Sequence, residues 1–202
     1  MALLSVSGHR DFRGLRAQTM KLKGERIELR AAREPDRRKI FNWLARSDLT
    51  VAMMGPPDFP EYPPPSWESF CDDYTPSFFN SSGDGQGRQF VILFQGEEVG
   101  TIGYDLLDRI KNRAVLDIWM RAQEYCGHGY GPDALNALCG YLHDVFGITR
   151  FIISPSARNK RAIAAYQKAG FTVHSVMDRN QQEKEFTVSE YDDNVLMIRE
   201  IG

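Results

Sequence analysis

The chain has 202 residues, 42% of them hydrophobic and 26% charged, with a formal net charge of −2. That composition fills one globular core, and with no basic excess and no Lys/Arg run it argues against a broad nucleic-acid surface. No apolar stretch approaches the roughly 20 residues that span a bilayer, and the odd set Cys71, Cys126 and Cys139, lacking metal-ligand spacing, predicts reduced thiols in a cytoplasm and no metal.

Residues 1–20 are polar and arginine-rich, and their apolar part, Ala2 to Val6, is too short for a secretory signal. They are expected to be a flexible leader or a mis-assigned start, with Met20 a candidate functional start; their arginines leave an organelle transit segment as the alternative. A single domain is expected over residues 21–202.

GERIELRAA (24–32) alternates as a strand with Ile27 and Leu29 on one face. Glu34 to Ala45 follows as a helix with Ile40, Phe41 and Leu44 at helical spacing. Six of the ten prolines fall between Pro56 and Pro65, which predicts an extended surface loop. SWESFCDDY (66–74) predicts a short helix capped by Ser66. After the flexible turn SSGDGQG (81–87), RQFVILFQ and VGTIGYDLL flank Gly96-Glu97-Glu98 as a hairpin. A turn around Lys111-Asn112 leads to RAVLDIWM (113–120), whose alternation puts Val115, Asp117 and Trp119 on one face and Ala114, Leu116, Ile118 and Met120 on the other.

Next comes CGHGYGPDAL (126–135), opening a helix with Leu135, Leu138, Leu142, Val145 and Phe146 on one face and Gly147 as a left-handed cap. RFIIS (150–154) is a short buried strand, and NKRAIAAYQKAG (159–170) a helix between an Asn159 cap and Gly170. FTVHSVM and NVLMIREI are the last two strands. The order gives a mixed α/β single domain without internal repeat or doubly wound alternation.

A helix N-terminus carries unpaired N–H groups and about half a positive charge. Glycines there let an anion approach bare backbone, and Pro132 suits a first helical turn. A glycine-rich turn that merely packs a helix against a strand explains the same residues. The stretch does not match GxxxxGK[ST], and a Rossmann loop would follow a first strand in a repeating strand–helix unit.

The second segment, SPSARNKRAIAAYQKAGF (154–171), places Asn159, Ala162 and Tyr166 near one helix face. With both motifs in this order, the chain resembles the GNAT superfamily of acetyl-CoA-dependent N-acetyltransferases. The glycine stretch stands where that family has Q/R-x-x-G-x-G/A, and N-x-x-A-x-x-x-Y-x-K-x-G-F is its downstream signature. The resemblance covers roughly residues 24 to 200. It implies a mostly antiparallel sheet of six to seven strands flanked by about four helices. It also implies transfer of acetyl from acetyl-CoA to a primary amine by direct attack. The co-substrate residues it implies are the backbone of Trp119 and Met120, the loop Cys126, Gly127, His128, Gly129, Tyr130 and Gly131, and Asn159, Ala162 and Tyr166. Cys126 replaces the family's Gln or Arg, and His128 stands where Lys or Arg is frequent. Cys126 is expected to be a small space-filling residue; thiolate character at a helix N-terminus is the alternative.

An aspartate between apolar neighbours on a central strand is unusual, and desolvation there makes it a better proton acceptor. The alternative is an Asp paired with an Arg at a sheet end. In the similar aminoglycoside 6′-N-acetyltransferases an Asp lies twelve residues before the middle glycine, as Asp117 does before Gly129. The likeness implies that Asp117 is the general base and Tyr166 the general acid, a phenol being matched to a thiolate leaving group. Tyr166 as a packed core residue is the alternative.

Acidic residues cluster where the family binds acceptors: Asp72 and Asp73 before Tyr74, then Glu190, Asp192 and Asp193. Such a rim suits a cationic amine, and a solvated face explains it equally. Trp67 and Tyr74 stack on a sugar ring or cover the core. The substrate residues expected are Asp72, Asp73, Tyr74, Asp117, Trp119 and Asp192. The favoured acceptor is a small cationic amine such as an aminoglycoside. A ribosomal-protein type N-terminal acetyltransferase, whose sequences share the LRAAREPDRRKIFNWL style of opening, and a non-catalytic CoA-binding module stay open. No nucleic-acid or membrane partner is expected, and the chain is expected to be a monomer or homodimer.

Overall fold

In the computed structural model the described residues are 21–50, 64–80, 86–108, 112–176 and 195–202. The expected leader, most of the proline loop, and Glu190, Asp192 and Asp193 lie outside them. In chain order the elements are β1 (Lys21–Lys23), β2 (Glu28–Ala31), α1 (Glu34–Arg46), α2 (Trp67–Asp73), β3 (Arg88–Phe94), β4 (Glu97–Asp108) and β5 (Arg113–Met120). There follow α3 (Tyr130–Phe146), β6 (Arg150–Ile153), α4 (Lys160–Lys168), β7 (Thr172–Val176) and β8 (Val195–Glu200). Short 3-10 turns cover Pro76–Phe79 and Gln123–Tyr125.

One sheet of eight strands runs β1-β2-β3-β4-β5-β6-β8-β7. Among the described residues only β5 and β6 are parallel, as a crossover through α3 requires. The sheet is thus larger than the six to seven strands expected. The added strand is β1, and the segment read as one strand from Gly24 turns before pairing from Glu28. That turn has a distant cause: the Asp133 carboxylate accepts from the N–H groups of Glu25 (2.7 Å), Arg26 (2.8 Å) and Ile27 (3.1 Å). A Cβ at Gly24 would overlap Asp133 Oδ1. The β3–β4 hairpin turns on Gln95 and Gly96, with φ of 50° and 85°, one residue earlier than expected. Left-handed φ at both positions matches the twist of the flanking strands.

Both sheet faces are covered. Leu29, Phe90, Ile102 and Leu116 pack against Leu135, Leu138, Cys139 and Leu142 of α3 on one. Val91 and Trp119 pack with Ile40 and Phe41 of α1, Phe70 of α2 and Phe79 on the other. The alternation read in β5 therefore separates two cores. Val145, expected on the apolar face of α3, is 58% exposed; the stripe from Leu138 and Leu142 runs on to Phe146, which packs on the first core. Caps fall where the sequence put them: Ser66 Oγ accepts from Ser69 N–H, Asn159 Oδ1 from Ala162 N–H, and Gly147 has φ 70°.

The placement of β5 matters most. Its pairing with β4 continues to Met120, but its pairing with β6 ends at Val115 opposite Ile152. The two strands part there, leaving residues 116–120 an edge free of β6 and a cleft beyond it. Among the described residues no helix is long and apolar enough to cross a membrane.

Candidate active site

Gly127 (φ 81°) and Gly129 (φ 85°) lie in the left-handed region that glycine adopts without penalty. Gly129 is the N-cap of α3 and supplies no side-chain acceptor to its first turn. A Cβ at Gly127 would meet open space, at Gly129 only Arg26 Nη1 at 3.8 Å, and at Gly131 Ile118 Cδ1 at 3.7 Å. The loop thus turns sharply and presents amides beside a cleft of about 250 Å³.

Trp119 and Met120 line this cleft from β5, Asn159, Ala162 and Tyr166 from α4, and Cys126, Gly127, Gly129, Tyr130 and Gly131 from the loop. His128 is absent from the lining. Its Nε2 donates to the Glu124 carbonyl (2.9 Å), its ring stacks on Tyr130 at 5.5 Å, and its carbonyl accepts from Arg26 Nη1 at 2.9 Å. The histidine braces the loop from behind. Sequence reasoning missed Arg161 and Lys168, cations on the cleft wall; seven residues apart, they share a helix face. Burial pushes the Cys126 thiol up, and Sγ lies 3.7 Å from the Ala122 carbonyl, so Cys126 fills space rather than presenting a thiolate. Tyr166 is half-buried, its ring 6.4 Å from that of Phe171.

Asp117 lies on the opposite face of β5. Its Oδ2 accepts from the Tyr74 hydroxyl at 2.7 Å. By accessible surface Asp117 is an exposed residue, so its carboxylate stands at an open site on the α2 side of the sheet rather than in the core. Desolvation pushes its pKa above the usual aspartate range, against the Tyr74 hydroxyl and the Ile118 amide, which favour the ionised form. Its partner is therefore a phenol rather than an arginine. Gly103 of β4 stands directly opposite, and the Gln89 amide occupies the space a Cβ there would need. Trp119 is tied to α1 by Nε1 donating to the Trp43 carbonyl at 2.9 Å.

The Tyr74 ring stacks on Phe70 at 4.6 Å and 13°, and Trp67 stacks on the same Phe70 at 5.7 Å while carrying the Arg38 guanidinium at 4.3 Å. Both rings cover the second core. Asp72 and Asp73 are exposed at the end of α2, just before Tyr74. The register adds Asp105, opposite Val115 and so on the Asp117 face; its alternation with Thr101 and Gly103 was the available signal.

A cleft walled by a left-handed glycine loop at a helix N-terminus, beside a strand edge released from its parallel neighbour, suits an extended ligand with a phosphate end. Residues 26–172 match the family described as acetyltransferase (GNAT) domain. The chain belongs to that family and is an acetyl-CoA-dependent N-acetyltransferase. No curated protein matches the chain. Among solved structures it is similar to an acetyltransferase from Salmonella typhimurium that modifies the N-terminal serine of ribosomal protein L7/L12 (19% identity, TM-score 0.69, 91% of this chain, 100% of that one). It is also similar to the aminoglycoside acetyltransferase AAC(6')-Ib with coenzyme A and kanamycin (20%, 0.63, 86% and 94%). A third is a spermidine N-acetyltransferase from Vibrio cholerae with CoA and spermine (20%, 0.63, 86% and 94%). At such identities the likeness is one of fold.

Proposed function

We propose that the protein acetylates a small cationic amine, with Asp117 as general base and Tyr166 as general acid. The observation that carries this reading is the Asp117 carboxylate, held by the Tyr74 hydroxyl at 2.7 Å on the strand that lines the cleft, with desolvation raising its proton affinity. The glycine loop and first turn of α3 hold the phosphates of acetyl-CoA, with Arg161 and Lys168 adding charge. The free edge of β5 pairs with the pantetheine arm, and Asn159 reaches it while capping α4. Because Asp117 and the cleft-lining Ile118 and Met120 alternate on β5, the amine approaches from the α2 side, across the strand from the thioester. Asp117 takes the amine proton as the C–N bond forms. Backbone N–H groups at residues 118–120 steady the developing oxyanion. The C–S bond breaks and the Tyr166 hydroxyl supplies a proton to sulfur.

The cationic acceptor is supported by Asp105 on the Asp117 face of the sheet and by the exposed Asp72 and Asp73 that immediately precede Tyr74, carboxylates that favour a positive ligand. The test is steady-state acetylation of a panel containing aminoglycosides, polyamines and N-terminal peptides, with Asp117→Asn and Tyr166→Phe alongside. Turnover of the cationic amines, lost in Asp117→Asn, is the expected result. Preference for a neutral peptide overturns the acceptor class, and full activity of Asp117→Asn overturns the base.

A further inference from the structure

The hydrogen bond between Tyr74 and Asp117 joins two parts of the chain 43 residues apart. Tyr74 is held at every other point as well. Its N–H donates to the Phe70 carbonyl (2.8 Å), its carbonyl accepts from Arg37 Nε (2.8 Å), and one ring face lies on Phe70 at 4.6 Å. Arg37 Nη2 also donates to the Cys71 carbonyl at 3.0 Å, so the helix end carrying the tyrosine is clamped to α1. A phenol so fixed has one polar atom left to direct, and it is directed at the carboxylate.

We propose that Tyr74 is a positioning residue for acetyl transfer, its hydroxyl holding Asp117 Oδ2 and leaving the carboxylate's remaining lone pairs for the incoming amine. The inference rests on Asp117 being the base, and it assigns Tyr74 to the chemistry rather than to stacking on the acceptor. Desolvation favours the protonated carboxyl, and a donor at 2.7 Å opposes it by favouring the ionised form. Besides Tyr74, the donor to the Asp117 carboxylate is the backbone amide of Ile118, and no cationic side chain is paired with it among the described residues. Gly103 on β4 and Gln89 on β3 carry no charge, Val115 and Trp119 flank it on β5, and Asp105 on β4 is a carboxylate on the same face that disfavours a further negative charge. The Arg37 cation of α1 is engaged with the carbonyls of Tyr74 and Cys71.

The test compares wild type with Tyr74→Phe, which keeps the ring on Phe70. Two quantities are followed against pH: the Asp117 carboxyl resonance by carbon-13 NMR, and kcat/KM. Both titrations move to higher pH together, with kcat/KM falling about three- to tenfold on the acid side and by less at alkaline pH. The acetyl-CoA-induced rise in melting temperature is kept, since the cleft is untouched. Substituting 3-fluorotyrosine at position 74, a stronger donor, moves both titrations the opposite way and serves should the phenylalanine variant fold poorly. An unmoved carboxyl resonance, or a loss equal at all pH values, overturns the proposal. If Asp117→Asn retains the acid limb, the base is another group and the catalytic role of Tyr74 falls with it, while the resonance still reports whether Tyr74 holds the carboxylate.

Discussion

Asp117 is costly to the fold for the same reason that it suits proton transfer. A carboxyl whose folded pKa is raised by desolvation binds its proton more tightly in the native state than in the unfolded one. Stability is therefore lost as pH rises from the unfolded value through the folded one. Asp117→Asn is expected to leave the melting temperature at neutral pH unchanged or raised, while lowering kcat/KM by about 10²- to 10⁴-fold; calorimetry and steady-state rates on one preparation check both. Gly129 makes the complementary case. At φ 85° a β-branched side chain is strained wherever it finds room, so Gly129→Val is expected to abolish the thermal shift with acetyl-CoA, read in a melt with and without it. Of the site, the glycines, Asn159 and Tyr166 were legible because their chemistry is local. Arg161 and Lys168 were not singled out, because two cations on a helix otherwise read as solvated surface.

Among the elements, α3 governs the site, and its orientation depends on Asp133. Three amides of the β1–β2 turn converge on that carboxylate across more than 100 positions of sequence. Asp133→Ala leaves them without this acceptor, and a loss of about 2 kcal/mol in denaturant unfolding is expected. Affinity for acetyl-CoA should weaken with it, because the amides of the glycine loop shift with the helix end. Asn159→Ala, which removes only a cap, is expected to cost about 1 kcal/mol. The helices themselves were legible from capping residues and apolar spacing. Strand β1 was not: three residues alternating Lys-Leu-Lys carry too little pattern, and the turn that pairs them is set by a distant side chain.

At the scale of the whole molecule, a partly buried charge network joins the sheet to α1. Asp36 accepts from Arg30 Nη1 (2.7 Å) and Lys39 Nζ (3.2 Å), and both cations also meet Glu98 beside the hairpin turn. Burial opposes ionisation of Asp36, but Arg30 and the Arg33 amide outweigh it and hold its pKa at about 2. Because the folded value lies below the unfolded one, this contribution is complete above the ordinary Asp value and fades as pH falls through about 2. It is worth about 1–2 kcal/mol at neutral pH once partial solvent screening is allowed for. Asp36→Asn is expected to lose that amount at pH 7 and little at pH 2, measured by urea unfolding at both.

The sequence by itself determined the order of the elements after β1, the two faces of β5, the caps, and the pair of motifs that place the chain in its family. These depend on spacing within ten to twenty residues, where periodicity and backbone preference act alone. Only the tertiary structure decided that β5 and β6 part after Val115, that Tyr74 reaches Asp117, and that Asp105 joins the same face. Those outcomes depend on register and on side chains meeting across the sheet, and a linear pattern carries neither. The glycine loop could be read because its amides are its own, whereas the carboxylate's environment is assembled from separate segments.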